Sequence, residues 1–342
     1  MDREWKGEMR VLIVGLGSIG RRHLQNLLAL GVKDIALLRS GKSTLPEQNL
    51  ADFPTFYNLQ SALDYHPDAV VIANPSALHL SVAIPFARQG CHLFLEKPIS
   101  HTLDGVELLK KIVEQNHNKV LVGFQFRFHP LLQKMKQLLD ENRIGRPLWA
   151  RAHWGEYLPN WHPWEDYRQS YSARQELGGG VLLTLCHPFD YLAWFFGKPA
   201  RISAVESKLS DLEMDVEDTA EVILEYPSNF IASVHLDYVQ QPPQHSLEIV
   251  GSQGTIRWDY FAGKVDLFTD IKKDGSYRVE EIPDPPNFTR NAMFLAEMEH
   301  FLAVVEGKSE PRCSLEDGIT SLKIVLAAKQ ASLSGHQQGL EP

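Results

Sequence analysis

Val14 closes an apolar run, and Gly15, Gly17 and Gly20 follow it in the spacing G-x-G-x-x-G, ahead of an amphipathic stretch that begins near Arg21. Each glycine answers a separate steric demand where a chain turns from strand to helix around a pyrophosphate. The first permits the tight turn, the second lets the anion approach the backbone, and the third lets the helix lie close on the strand. The helix start then offers its amides and positive dipole end to the phosphates. Strand, helix and second strand follow at the spacing of a βαβ unit, so the pattern predicts dinucleotide binding by Gly15, Gly17, Ser18, Ile19 and Gly20. A glycine-rich structural turn, or a site for another nucleotide, is the competing reading.

Dinucleotide sites that prefer NAD usually carry an Asp or Glu about 20 residues after the glycines, where it accepts the ribose hydroxyls. This chain instead has Leu38, Arg39, Ser40, Gly41 and Lys42 at the end of the second strand. Arg39 and Ser40 would set positive charge and a hydroxyl where a 2'-phosphate sits. That favours NADP(H) and leaves NAD(H) open, because an Arg also stacks on adenine without selecting the phosphate. The plainer alternative is a solvated basic loop.

Such a loop must be held at the end of a parallel sheet. Short β-branched runs at 10–14, 34–38, 69–73, 91–95 and 119–124, with another near Thr55, alternate with amphipathic stretches, the pattern of parallel strands covered by helices. Leu24, Leu27, Leu28 and Leu30 line one side of the first helix, which stops at Gly31, a residue suited to a left-handed C-cap. After Pro147 the grammar changes: 148–156, 202–206, 219–226, 230–238, 247–250 and 255–259 read as successive strands separated by turn residues. Pro227, Ser228 and Asn229 between two alternating runs are a hairpin signal and imply antiparallel neighbours. Phe294, Leu295, Met298, Phe301, Leu302 and Val305 have helical spacing, as does 322–328, and residues 335–342 read as a loose tail. The expected architecture is an α/β Rossmann domain over 1–124 and an α+β domain over 125–342 with a large, mostly antiparallel open sheet.

A chain of 342 residues exceeds what one core usually organises, in keeping with two domains. Its net charge of -9 and the lack of any Lys/Arg stripe argue against nucleic acid as a partner. The mixed charges of residues 1–10 and the absence of a long apolar run predict neither a signal peptide nor a membrane span. Cys91, Cys186 and Cys313 are odd in number and far apart, so no disulfide framework or cysteine zinc site is expected, and a reducing cytoplasm is the simple compartment. The 14 histidines contain no H-E-x-x-H or other close ligand set, so no metal is expected.

Further motifs make the chain recognisable. Asn74 and Pro75 end the fourth strand, His79 opens its helix, and Leu95, Glu96, Lys97 and Pro98 end the fifth; GFQFRFHP spans 123–130, GGGVLLTLCHPFDYLAWFFG spans 178–197 and GSQGTIRWDY spans 251–260. In this combination, over nearly its whole length, the sequence resembles the Gfo/Idh/MocA family, the glucose-fructose oxidoreductase and inositol dehydrogenase group. The resemblance implies an NAD(P)-dependent dehydrogenase or reductase acting on CH-OH groups. Asn74, Pro75, His79, Glu96, Lys97 and Gln125 join the cofactor site on the same ground. Lys97 matches the family's active-site lysine, which would hydrogen-bond the reacting oxygen, and the bond before Pro98 is expected to be cis. His187 matches the catalytic histidine, a natural proton acceptor near neutral pH. Without the resemblance, a solvated lysine and a structural histidine would be the default readings.

The sequence departs from the family's pattern at Thr184, where many relatives carry an acid, and at Cys186, where Gly or Ser is common. Thr184 can donate or accept a hydrogen bond but brings no negative charge to Lys97 and His187. On the substrate side, Gln125 and Arg127 follow the sixth strand, and the run WGEYLPNWHPWEDYR at 154–168 is rich in aromatics and hydrogen-bonding groups. Glu156, Tyr157, Trp161 and His162 are therefore candidate contacts to a sugar, with a loop pinned by its own aromatics as the alternative. Asp190, three residues after His187 on the same helical face, is a further candidate, able to orient the imidazole. The expected reaction is hydride exchange between nicotinamide and a secondary alcohol or ketone of a sugar, inositol or nucleotide sugar. Reduction of a C=C or C=N bond, and a catalytically inactive dinucleotide-binding regulator, are the alternatives. The uncovered face of an open sheet predicts a homodimer or homotetramer.

Overall fold

The computed structural model describes residues 9–41 and 50–340. Lys42, residues 1–8 and the last two residues of the expected tail lie outside them.

Strands that are apolar on both sides must be covered on both sides. The first such set comprises β1 (Arg10–Val14), β2 (Asp34–Leu38), β3 (Thr55–Phe56), β4 (Ala69–Ile72), β5 (His92–Glu96) and β6 (Val120–Gly123). They form one parallel sheet in the order β3-β2-β1-β4-β5-β6. Between them run α1 (Ser18–Ala29), α2 (Leu59–Asp64), α3 (His79–Arg88) and α4 (Val106–Asn116). The order reverses between β1 and β4, and at such a switch point the strand ends diverge and leave a crevice for a ligand. α1 starts at Ser18, earlier than its amphipathic pattern predicts, because Gly17 already occupies the extended N-cap position.

The second set alternates in burial. It comprises β7 (Pro147–Gly155), β8 (Arg201–Ser207), β9 (Thr219–Tyr226), β10 (Phe230–Asp237), β11 (Gln244–Gly251), β12 (Thr255–Asp259), β13 (Lys264–Thr269) and β14 (Arg278–Pro283). The sheet order is β14-β13-β12-β11-β7-β10-β9-β8, antiparallel except where β10 lies parallel to β7. The predicted hairpin is there: Phe230 pairs with Tyr226 across a turn in which Asn229 takes φ 54°. Ala152, Trp154, Val234, Leu236, Leu247 and Trp258 point inward and are buried. Three helices, α5 (Pro130–Asp140), α6 (Val181–Thr184) and α7 (His187–Phe196), cover that face. The other face leaves Trp149, Ile223 and Ile231 exposed.

α5 depends on a histidine cap. Pro130 sets its first residue, and the Leu131 amide donates to His129 Nδ1 at 3.1 Å, so the ring acts as an acceptor. Burial lowers the His129 pKa to about 4 from the ordinary 6.5. Because the unfolded chain takes up this proton near pH 6.5 and the folded chain only near 4, the stability is intact above the higher value and is lost as pH falls between the two, by up to ~3 kcal/mol. The denaturation midpoint should therefore fall on acidification from neutral pH. His129→Asn keeps a capping oxygen and should flatten that slope; an unchanged slope would assign the acid sensitivity elsewhere.

The remaining elements are α8 (Arg290–Val305), α9 (Leu315–Ser334) and β15 (Gln338–Gly339). Met293, Phe294, Met298 and Phe301 are buried along α8. Phe301 meets Phe94 edge-on at 5.5 Å, the Arg22 guanidinium lies over the Phe294 ring at 4.4 Å, and Asn291 Nδ2 donates to Asn26 Oδ1 at 2.9 Å. The chain accordingly separates into Met1–Gln125 with Thr289–Ile319 and Phe126–Phe288 with Thr320–Pro342. This corrects the linear division at 124/125: residues 289–319 join the first unit because their apolar face has its partners on α1 and β5. The expected loose tail is also corrected, since Gln338 pairs with Ile202 and Gly339 with Arg201 on the edge of β8, whose backbone groups would otherwise go unpaired. Among the described residues, no helix is long and apolar enough to cross a membrane.

Candidate functional site

In the first unit, two of the three signature glycines are sterically obligatory and the third is open. Gly15 has φ 86°, and a Cβ there would lie 2.7 Å from the Asn74 nitrogen. A Cβ on Gly20 would lie 2.0 Å from the Gly15 carbonyl oxygen, so helix and loop touch only because it is absent. Around Gly17, in contrast, there is nothing within 4 Å. Gly17 and Ser18 are exposed, Ile19 is half-buried, and the first turn of α1 carries no acidic residue to compete for its amides. Beside this loop, at the end of β4, Asn74 Oδ1 is buried without a hydrogen-bond partner. An open backbone at a helix start and an orphaned amide oxygen at the switch point fit a dinucleotide. At the end of β2, the Arg39 amide donates to the Phe56 carbonyl at 2.9 Å; its side chain is mostly buried while Ser40 is exposed.

The ends of β4 and β5 are tied together by side chains that were expected at the cofactor. The His79 ring lies between the Asn74 carbonyl at 2.8 Å and the Pro98 carbonyl at 2.9 Å and is 1% exposed. Burial holds its pKa below the ordinary histidine value, against the pull of those carbonyls. Glu96 is buried too: Oε1 is 2.7 Å from His23 Nε2, and Oε2 accepts the Lys97 amide at 3.2 Å. A Cβ at Gly123 would come within 3.2 Å of Oε2, so the glycine makes room for the carboxylate. Placed between those carbonyls, the His79 ring braces the loops after β4 and β5, and Glu96 anchors the backbone under Lys97. Lys97 itself is half-buried, Pro75 lies at the turn after β4, and Gln125 is buried at the start of the turn that follows β6. The Lys97–Pro98 bond is cis.

In the second unit, Arg127 and Asp190 were expected to face substrate, but they bind each other. Arg127 Nε donates to Asp190 Oδ1 and Oδ2 at 3.1 and 3.0 Å and its Nη2 to Oδ1 at 2.8 Å, with side chains 4% and 2% exposed. The pair is a buried fork-to-carboxylate contact, which fixes both side chains in orientation. Its effect is to anchor α7, whose first residue is His187.

The His187 ring is buried, 4.9 Å from Phe126 in edge contact and 5.3 Å from Trp154. Trp154 in turn stacks on His245 at 4.3 Å and donates through Nε1 to Glu156 Oε1 at 2.7 Å, which fixes that carboxylate. Trp154 thus lies against His187 on one side and holds Glu156 on the other. Tyr157, Trp161 and His162 are half-buried in the segment that follows, with Trp161 edge-on to Tyr238 at 5.4 Å and His162 at 5.3 Å from Trp164. Thr184 is buried at the end of α6. His245 was not anticipated, although its inward place in the alternation of β11 marks it as buried.

The expectation that no metal ligands converge also changes. Among the described residues, His153, His235 and Asp237 form a group that could hold an ion. No local motif reveals it, since its members come from two strands.

Residues 9–124 match a family model described as an oxidoreductase family with an NAD-binding Rossmann fold, and residues 132–257 match the GFO/IDH/MocA C-terminal domain. The chain is 27% identical to myo-inositol 2-dehydrogenase from Thermotoga maritima, over 94% of this chain and 96% of that protein. It is 26% identical to 1,5-anhydro-D-fructose reductase from Ensifer adhaerens, over 80% of each. A levoglucosan dehydrogenase solved with NADH and levoglucosan shares the fold, with a TM-score of 0.84 at 19% identity over 98% of this chain and 100% of that one. Matched in both of its parts by models of one family, and carrying that family's glycine loop and Glu96-Lys97-Pro98 turn, the chain belongs to the Gfo/Idh/MocA oxidoreductases.

Proposed function

We propose that this oxidoreductase exchanges a hydride between a nicotinamide dinucleotide and a secondary alcohol or ketone of a sugar, an inositol or a nucleotide sugar. The observation that carries the cofactor half is the open Gly17 between two sterically closed glycines at the start of α1. The relatives named above act, by their names, on inositol and anhydro-sugar substrates, which supports the substrate class.

When bound, the nicotinamide supplies or takes the hydride. The residues of the chain do the rest. The Gly15-Gly17-Gly20 loop, with Ser18 and Ile19, holds the pyrophosphate against the α1 amides, and Asn74 offers an amide oxygen beside it. Arg39 and Ser40 favour a 2'-phosphate and hence NADP(H). Lys97 donates a hydrogen bond to the reacting oxygen and stabilises its negative charge, while His187 takes or returns the hydroxyl proton. The Thr184 hydroxyl adds a hydrogen bond without charge. Glu156, held by Trp154, together with Tyr157, Trp161 and His162, forms the sugar-binding side, aromatic faces taking C–H patches and polar atoms taking hydroxyls. Trp149, Ile223 and Ile231, exposed on one sheet face, support a homodimer or homotetramer.

A panel of inositols, sugars and nucleotide sugars, followed by nicotinamide absorbance with each cofactor, tests the reading. Turnover is expected with at least one polyol, and Arg39→Asp is expected to weaken NADP(H) about tenfold or more while changing NAD(H) by less than about threefold. Equal effects on both cofactors would remove the basis for the NADP(H) preference. Dinucleotide binding without turnover of any substrate would favour a regulator.

A further inference from the structure

On the outer face of the second unit's sheet, three side chains of metal-ligand type converge. His235 lies opposite His153 in the parallel pairing of β10 with β7, and Asp237 follows two residues later on the same face. Strand spacing of about 4.8 Å and a side-chain period of two are enough to bring all three over one patch. Their ligating atoms lie within 4.8 Å of one another. His235 Nε2 is 3.1 Å and His153 Nε2 3.8 Å from Asp237 Oδ2, and the two rings are 4.6 Å apart.

The surroundings orient two of the three donors inward. His235 Nδ1 lies 2.6 Å from Glu221 Oε1, a carboxylate behind the imidazole that turns Nε2 towards the cluster, as second-layer carboxylates do for metal-bound histidines. Asp237 Oδ1 accepts the amides of Val239 and Gln240 at 2.8 and 2.6 Å, which leaves Oδ2 to face the imidazoles. Opposite it stands Gly155, where a Cβ would fall 2.2 Å from Oδ2, so this carboxylate position needs a glycine on β7. A polar ladder across the strands accounts for Glu221, His235 and Asp237. It accounts less well for His153 Nε2, which is buried, makes no hydrogen bond of ordinary length and reaches only to 3.8 Å from Asp237 Oδ2. Buried polar atoms are seldom left in that state without a reason.

We propose that His153, His235 and Asp237 bind one divalent transition cation of the zinc class, with water in the fourth position and Glu221 positioning His235. Two imidazole nitrogens and one carboxylate oxygen suit such an ion, whose bonds to these ligands are about 2.0–2.2 Å. The ion would clip β7 to β10 at the one parallel pairing in the sheet, and it would satisfy His153. This site is separate from the residues assigned to hydride transfer, so neither reading depends on the other.

Titration of the full-length, tag-free, EDTA-treated chain with Zn²⁺ in a calorimeter tests the proposal, with Co²⁺ absorption as a second probe of ligand geometry. One ion per chain is expected, with affinity at least tenfold weaker in His153→Ala and in His235→Ala, and about tenfold weaker in Glu221→Gln. Binding well below one equivalent, or one equivalent unchanged in both histidine variants, would overturn it. The unaltered chain gives a readout that no folding defect can confuse: Zn²⁺ should protect His153 and His235 from diethyl pyrocarbonate, mapped by peptide mass spectrometry, and equal labelling with and without the ion would also overturn the proposal.

Discussion

Lys97→Ala is expected to lower kcat by about three orders of magnitude while dinucleotide affinity stays within about threefold. The loss combines a hydrogen-bond donor to the reacting oxygen with charge stabilisation at the moment that oxygen becomes negative, effects that are individually worth about 10²–10³. The geometry around the residue makes the experiment clean. The Lys97 amide is held by Glu96 Oε2, Glu96 is held by His23, and His79 grips the Pro98 carbonyl, so the loop keeps its course without the ammonium group. Fluorescence titration with NAD(P)H and steady-state turnover measure the two halves. Affinity lost together with kcat would mean that Lys97 serves the cofactor and not the reaction. Lys97→Arg, which keeps the charge but alters donor geometry, should recover only a small part of the rate.

Removing Arg127 should have the largest effect on folding. Asp190 would be left charged in a site 2% exposed, and breaking such a pair costs about 3–5 kcal/mol. Replacing both partners by apolar residues, Arg127→Met with Asp190→Leu, leaves no stranded charge and should return stability to within about 2 kcal/mol of the parent. Six of the chain's seven tryptophans lie between Phe126 and Phe288, so tryptophan fluorescence during urea unfolding reports this unit selectively. If Arg127→Ala unfolds at the parent's urea concentration, the pair contributes nothing and the substrate-facing role returns. The double variant also separates positioning from contact: a recovered fold with impaired kcat and unchanged KM would fit a pair that sets α7 and His187.

How much could be read beforehand varied with burial. β1 and β2 have the bounds their apolar runs predict, because strands covered on both faces leave nothing polar to blur them. β13 and β14 went unread because Lys264, Asp266, Arg278, Glu280 and Glu281 dilute the apolar alternation to a few residues. The glycine loop was legible since its spacing is local. The pairing of Arg127 with Asp190 was not legible for the opposite reason: each looks like a sugar ligand alone, and only the tertiary fold brings the two charges together. The bonds of His79 and Glu96 to the loops after β4 and β5 are tertiary in the same way. The His153, His235 and Asp237 group was out of reach, because nothing in the alternation of β7 and β10 discloses that these strands lie side by side in parallel.

The return of residues 289–319 to the first unit bears on how the protein is made. On the ribosome, β1 to β6 emerge early and can pair at once, but His23, Phe94 and the exposed flank of α1 wait for Phe294 and Phe301 on α8. That helix emerges only after β7 to β14 have been synthesised. Throughout that interval the nascent dinucleotide-binding unit carries an uncovered apolar seam, a natural target for chaperones, and its core is fully protected only once α8 has followed β14.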